Sequence, residues 1–176
     1  MDKYQKILDS RDIDRIITRM THEILEKHQG TENLTIIGIH SRGVHLARRI
    51  RSGIHDIEGV EVPAGEMDIT LYRDDWTRIS HHPVVQATEI PFSVDGKHII
   101  LVDDVLFTGR TIRAAMDALM DFGRPDRIEL FVLVDRGHRE LPIEANYIGK
   151  HIETRRAETV NVLLAEQDIE DMVVIE

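Results

Sequence analysis

Two adjacent carboxylates, Asp103 and Asp104, end the apolar run "IILVDDV" and are followed at once by Leu106, Phe107 and the polar turn Thr108-Gly109-Arg110-Thr111. Ionised carboxylates only accept hydrogen bonds. A pair of them therefore suits two hydroxyls on a sugar ring, and their charge stabilises a cation developing on that ring. The turn behind them offers the opposite chemistry. A helix beginning there directs its first backbone N–H groups and its dipole at a phosphate, and Gly109 permits close approach. Acids beside an anion cradle read as a sugar-phosphate site. Successive strand side chains point to opposite faces, however, so one of the two acids can be structural.

Other chemistries lack their residues. Neither GxxxxGKS/T nor GxGxxG occurs, so a P-loop or dinucleotide-binding reading fails. The chain has no cysteine, and its ten histidines include His81-His82 but no HExxH, so no metal held by the protein alone is expected. No nucleophile stands beside a base, and no covalent intermediate is expected.

Three segments must position the turns. "LTIIGIH" (34–40) reads as a strand that opens into a second polar turn, Ser41-Arg42-Gly43, and "VHLARRI" returns to helical spacing. "HIILVDDV" (98–105) repeats the pattern, with a helix in "RTIRAAMDALMDFG" that stops at Gly123 ahead of Pro125. "RIELFVLVD" (127–135) supplies the next strand. Strands apolar on both faces and alternating with helices imply an α/β fold with a mostly parallel sheet covered on both sides. In such sheets ligands gather beyond the carboxyl ends of the strands, so both turns should face one crevice.

Around these units, apolar residues at Ile13, Ile16, Ile17, Met20, Ile24 and Leu25 mark an amphipathic opening helix, capped at Asp9 or Ser10 and stopped at Gly30. Arg15, Thr18, Arg19 and His22 form a stripe on its other face. The segment 60–75 reads as a hairpin or strand pair, 76–96 as a mobile loop, "RGHRELPIEANYIGK" as loop-rich, and "ETVNVLLAE" and "MVVIE" as closing strands.

The 176 residues fit a single domain spanning 1–176, with 41% hydrophobic and 31% charged residues. Thirty-two acids against 22 bases give a net charge of −10, which opposes non-specific attraction to nucleic acid or anionic lipid. With no secretory leader and no apolar stretch of membrane length, a cytoplasmic protein is expected.

"ILVDDVLFTGRT" resembles the phosphoribosyl diphosphate (PRPP) motif of the type I phosphoribosyltransferases. "DITLYRDD", "ILVDDVLFTGRTIRAAMDAL", "FGRP", "VLVDRGHRELPI" and "YIGK" together resemble, more narrowly, the uracil phosphoribosyltransferases that regulate pyrimidine operons. The resemblance implies the type I phosphoribosyltransferase fold, with a small hood and a flexible β-loop added to the central sheet. It implies conversion of uracil and PRPP to UMP and diphosphate, with magnesium bound alongside the diphosphate. Asp103 and Asp104 would hold the ribose hydroxyls, and Thr108, Gly109, Arg110 and Thr111 the 5′-phosphate. Val102, Val105, Leu106 and Phe107 complete the PRPP- and UMP-binding segment. Ser41, Arg42 and Gly43 would bind diphosphate, and Arg73 would close over it.

Many purine-using relatives carry a carboxylate just before the Thr-Gly, where this chain has Phe107, which favours a pyrimidine. By analogy with hypoxanthine-guanine enzymes the base would lie near Asp135, Arg136, Tyr147 and Ile148. The resemblance further implies binding of the operon's leader RNA when UMP or UTP is abundant, through Thr18, Arg19 and His22, with Lys150, Arg155 and Arg156 as additions, in a homodimer or higher homo-oligomer. Glu144 departs from the pattern, standing where an arginine is expected. Two alternatives stay open: a nucleotide-sensing RNA regulator with vestigial catalysis, and a nucleobase salvage transferase without RNA binding.

Overall fold

The computed structural model describes residues 4–72 and 87–176. A five-stranded sheet in the order β3-β2-β4-β5-β6 is parallel throughout. It is formed by β2 (Leu34–Ile39), β3 (Ala64–Met67), β4 (His98–Leu106), β5 (Arg127–Asp135) and β6 (Tyr147–His151). A three-stranded antiparallel sheet, β1-β8-β7, joins the chain's two ends through β1 (Gln5–Leu8), β7 (Val160–Leu163) and β8 (Met172–Ile175). It matches the small hood implied by the resemblance.

The apolar runs of β2, β4 and β5 feed two layers. On one face, Ile13, Ile17, Met20 and Ile24 of α1 (Ser10–His28) and Leu46 and Ile50 of α2 (Arg42–Glu58) pack with Ile36, Ile100, Val102 and Phe131. Val160, Val162 and Val173 of the small sheet enter this same cluster. On the other, Ile112, Ala115 and Leu119 of α3 (Arg110–Met120) cover Ile37, Leu101 and Val132. Each fully buried large aliphatic side chain here contributes about 1.5–3 kcal/mol.

Local chemistry sets the helix ends. Asp9 caps α1 by accepting from the N–H of Asp12 at 2.9 Å, and Asp12 accepts in return from the N–H of Asp9 at 3.2 Å, a reciprocal box. The helix stops at His28, where Gln29 takes the left-handed conformation (φ 54°) one residue before the expected Gly30.

Three readings of the sequence change. The stretch 60–72 holds one strand, β3, parallel to β2, and a 3-10 turn at Thr70–Tyr72; its antiparallel pairing is an isolated bridge between Glu66 and Glu89. The "YIGK" segment is strand, not loop, because it pairs with β5 at the sheet edge. β1 has no counterpart in the sequence reading at all.

The chain leaves β2 towards β3 on one side and leaves β4 towards β5 on the other. The sheet's switch point therefore lies between the carboxyl ends of β2 and β4, where both polar turns emerge.

Candidate active site

β4 brings Asp103 and Asp104 to its carboxyl end, whereas Val102 and Leu106, expected in the PRPP- and UMP-binding segment, are buried in the two cores and Val105 packs against the first of them; α3 follows beyond the strand. The two acids have separate surroundings. Asp103 is buried, 7% exposed, and its Oδ1 accepts the N–H of Asp104 at 3.0 Å. Asp104 is half-buried, its Oδ1 accepts the N–H of Val105 at 2.8 Å, and it lines a cavity of about 170 Å³ with Arg42 and Asn161. The alternation of the strand thus gives one inward acid and one that faces the crevice.

The cradle follows. Gly109 has φ 92°, a conformation that strains any other residue, and a Cβ there would lie 3.3 Å from the Cβ of Ile143. Arg110 opens α3 and its N–H donates to Thr108 Oγ1 at 3.3 Å. Thr111 is in the first helical turn, whose N–H groups helix geometry leaves without intrahelical acceptors. The carbonyl of Thr108 accepts from the N–H groups of Glu140 (2.9 Å) and Leu141 (3.2 Å), so the loop after β5 braces the turn.

At the neighbouring strand end the His40–Ser41 peptide is cis and α2 begins at Arg42. Gly43 is required by proximity: a Cβ would sit 2.4 Å from the carbonyl oxygen of Val102. The start of α2 is therefore pressed against β4, one residue from Asp103. Arg42 Nη2 donates to both carboxylate oxygens of Asp168 at 3.2 Å, and Ser41 Oγ donates to Gln167 Oε1 at 2.9 Å.

Phe107 stands between basic groups. The Arg136 guanidinium lies 4.0 Å from its ring centroid, His138 meets it edge-on at 6.0 Å, and Arg156 lies at 6.0 Å. Arg136 is buried, which pushes its pKa down, and its Nη2 donates to the carbonyl of Arg155 at 3.0 Å. Asp135 is also buried. Burial pushes its carboxyl up, but Arg139 at 2.6 Å and the N–H of Gly137 at 3.0 Å outweigh that and hold it below the ordinary range. Arg139 donates in addition to the carbonyls of Phe107 (2.8 Å) and Ile143 (2.9 Å), tying this wall together.

The structure brings Ser41, Arg42, Gly43, Asp103, Asp104 and 107–111 to adjoining strand ends, with Asp135 and Arg136 at the next. It does not bring Tyr147 and Ile148 there. Tyr147 pairs in register with Phe131, four residues before Asp135, is buried, and donates to Glu129 Oε2 at 2.6 Å. Ile148 packs on the α3 face of the sheet. The base-pocket expectation is corrected accordingly to its Asp135–Arg136 half. Arg73 lies outside the described residues.

The RNA candidates also divide. Thr18, Arg19 and His22 are exposed on α1, and Arg19 donates to the carbonyl of Gly149 on β6 at 2.8 Å, next to exposed Lys150. Arg156 instead pairs with Glu140, which accepts from Arg110 at 2.9 Å as well, so it belongs to the crevice wall with Arg155. Arg139, Glu140, Gln167 and Asp168 escaped the sequence reading. Arg139 and Glu140 sit within the quoted "RGHRELPI", whereas Gln167 and Asp168 meet α2 across 126 residues, with no local signal.

A family model described as the phosphoribosyl transferase domain matches residues 3–165. The chain is 57% identical to the bifunctional protein PyrR of Desulfosudis oleivorans over 99% of this chain and 97% of that protein. It is 58% identical to the protein of the same name from Oceanobacillus iheyensis, over 98% and 97%. The chain belongs to the PyrR group of phosphoribosyltransferases. Its fold is shared more widely in the family. A hypoxanthine phosphoribosyltransferase of Trypanosoma cruzi superposes with a TM-score of 0.75 at 17% identity, over 100% of this chain and 94% of that one. Another from Staphylococcus aureus gives 0.66 at 20%, over 86% and 79%.

Proposed function

We propose that this PyrR-group protein makes UMP from uracil and PRPP, and that it binds the leader RNA of pyrimidine genes when UMP fills the same crevice. The observation that carries the reading is that Asp104, lining a cavity with Arg42, and the left-handed Gly109 turn both emerge at the carboxyl end of β4 beside the sheet's switch point, with Phe107 between them where many purine-using relatives carry an acid. The relatives' shared name, bifunctional protein PyrR, supports two activities in one chain.

In this reading Asp104 accepts from a ribose hydroxyl, and Asp103 fixes the backbone that presents it and supplies the second negative charge. Thr108 to Thr111 hold the 5′-phosphate, and Arg42 with Ser41 and Gly43 holds the diphosphate; Arg73 is assigned to the same leaving group. Uracil N1 attacks C1 of the ribose as the bond to diphosphate breaks, and the N1 proton is given up to the departing diphosphate or to water. The cationic ring of the transition state lies beside two carboxylates, so stabilisation is electrostatic and positional. Among the described residues no cluster of three or more His, Cys, Asp or Glu has metal-site geometry. The hard oxygens of Asp104, the acid that faces the crevice, fit magnesium that arrives with the substrate's diphosphate, where it would neutralise leaving-group charge.

Phe107, held by Arg136, sets one wall of the base site, with Asp135 and Arg136 on it. UMP or UTP in this site signals pyrimidine supply. Thr18, Arg19, His22 and Lys150 form the RNA face, a local basic patch on a chain of net charge −10. We place the protein in the cytoplasm, as a homo-oligomer; no described helix is long and apolar enough to cross a membrane.

The test is filter binding to the organism's own pyrimidine leader RNA with and without UMP. Tighter binding with UMP than without, and than to scrambled RNA, is expected; equal binding to both RNAs overturns the regulatory half.

A further inference from the structure

We propose that Asp168 is a positioning residue for the departure of diphosphate, acting through Arg42. The proposal rests on the transferase reading, and extends it to a side chain 126 residues away from the loop it serves. A long arginine side chain at the mouth of a crevice samples many rotamers, and a ligand that binds it must stop that motion. Here the motion is already stopped. Both oxygens of Asp168 take the same nitrogen, Nη2 of Arg42, at 3.2 Å. The guanidinium's Nε is buried with no hydrogen-bond partner, and the residue lines the cavity that Asp104 faces.

Asp168 is itself fixed. Its Oδ2 accepts the N–H of Leu164 at 2.8 Å, while its own N–H donates to the carbonyl of Leu164 at 2.7 Å. The turn that carries it is clamped on both sides by one residue of α2. Arg49 donates to Glu166 at 2.8 and 2.6 Å and to Asp171 at 2.6 and 2.9 Å. Those pairs hold the Glu166 and Asp171 carboxyls below their ordinary range, the hydrogen bonds from Arg49 outweighing burial. The adjacent Gln167 accepts from Ser41.

The turn 164–171 is thus a bracket: anchored on α2 by Arg49, it grips the two residues that open the diphosphate loop. An acid so close to a diphosphate site repels the ligand, and its gain must come from orienting Arg42. If Asp168 were a brake that the ligand had to displace, its removal would tighten diphosphate binding. Positioning predicts the reverse.

The experiment is calorimetric titration of magnesium diphosphate and, separately, of UMP into wild type, Asp168→Asn, Arg42→Ala and the double variant, with KM for PRPP measured alongside. Asp168→Asn should weaken diphosphate binding and raise KM for PRPP by about tenfold, the loss of preorganisation at one arginine. UMP, which lacks the diphosphate, should bind within about twofold of wild type, and the Asp168→Asn effect should vanish in the Arg42→Ala background. Unchanged or tighter diphosphate binding overturns the proposal, as does an equal loss of UMP affinity or an effect that persists without Arg42. Wild type that fails to bind magnesium diphosphate overturns the transferase reading along with it; wild type that binds it while Asp168→Asn binds equally well overturns the role of Asp168 alone.

Discussion

The guanidinium of Arg136 sits 4.0 Å from the centroid of the Phe107 ring, one residue beyond the strand end that carries Asp135. A buried cation over an aromatic face contributes about 0.5–2 kcal/mol. Phe107→Ala leaves Arg136 buried without that partner. UMP formation should fall about tenfold or more in kcat/KM for uracil. The melting temperature should drop by several degrees, at about 2–4 °C per kcal/mol for a chain of this size. Unchanged uracil kinetics would remove Phe107 from the base site.

Gly109→Ala probes the cradle. Its positive φ and the contact with Ile143 make any side chain there unfavourable by about 1–3 kcal/mol. UMP titration should show affinity weakened by about tenfold or more. Wild-type affinity would mean that the phosphate binds elsewhere.

The two acids should separate in their effects. Asp104→Asn, at the crevice, should lower kcat by about 10²–10³ with little change in melting temperature. Asp103→Asn, at a buried site that accepts the N–H of Asp104, should also destabilise the fold, which thermal denaturation reads directly. The opposite pattern would exchange their roles.

Glu129 governs stability in acid. Burial on its own would raise its pKa, but hydrogen bonds from Lys27, Tyr147 and His28 outweigh it and hold the carboxyl at about 2, against an ordinary 4.5. A depressed folded-state pKa means stability that is present above 4.5 and lost as pH falls towards 2. In Glu129→Gln the melting temperature should start lower, and its decline across that window should be shallower than in wild type. Parallel curves would contradict the assignment.

Arg19→Ala should spare UMP synthesis and weaken leader RNA binding, since Arg19 projects from α1 and bonds only to Glu23 and Gly149 of the described chain. Loss of one phosphate contact should reduce the slope of log affinity against log salt by about 1. Equal RNA affinity at several salt concentrations would remove α1 from the RNA face.

The sequence made the middle of the fold legible because its signals there are local. The apolar run of β4, the Gly109 turn and the period of α3 follow one another within 23 residues. β1 hid because only Leu8 of its four residues is fully buried, leaving no alternation to read. β6 hid because Gly149, Lys150 and His151 carry little strand propensity, and pairing at the sheet edge decides the matter. The crevice was legible where one segment builds it. Tyr147 was misplaced because its partner, Glu129, is fixed by strand register. The grip of Asp168 on Arg42 joins the small sheet's connection to the start of α2, a pairing no window of sequence contains.

The most direct test of the account is the rate of nucleotide formation by the purified protein from PRPP and magnesium, with labelled uracil and labelled hypoxanthine in parallel. The account predicts UMP from uracil and turnover of hypoxanthine slower by about 100-fold or more. Hypoxanthine consumed as fast as uracil, or no UMP at all, would contradict it.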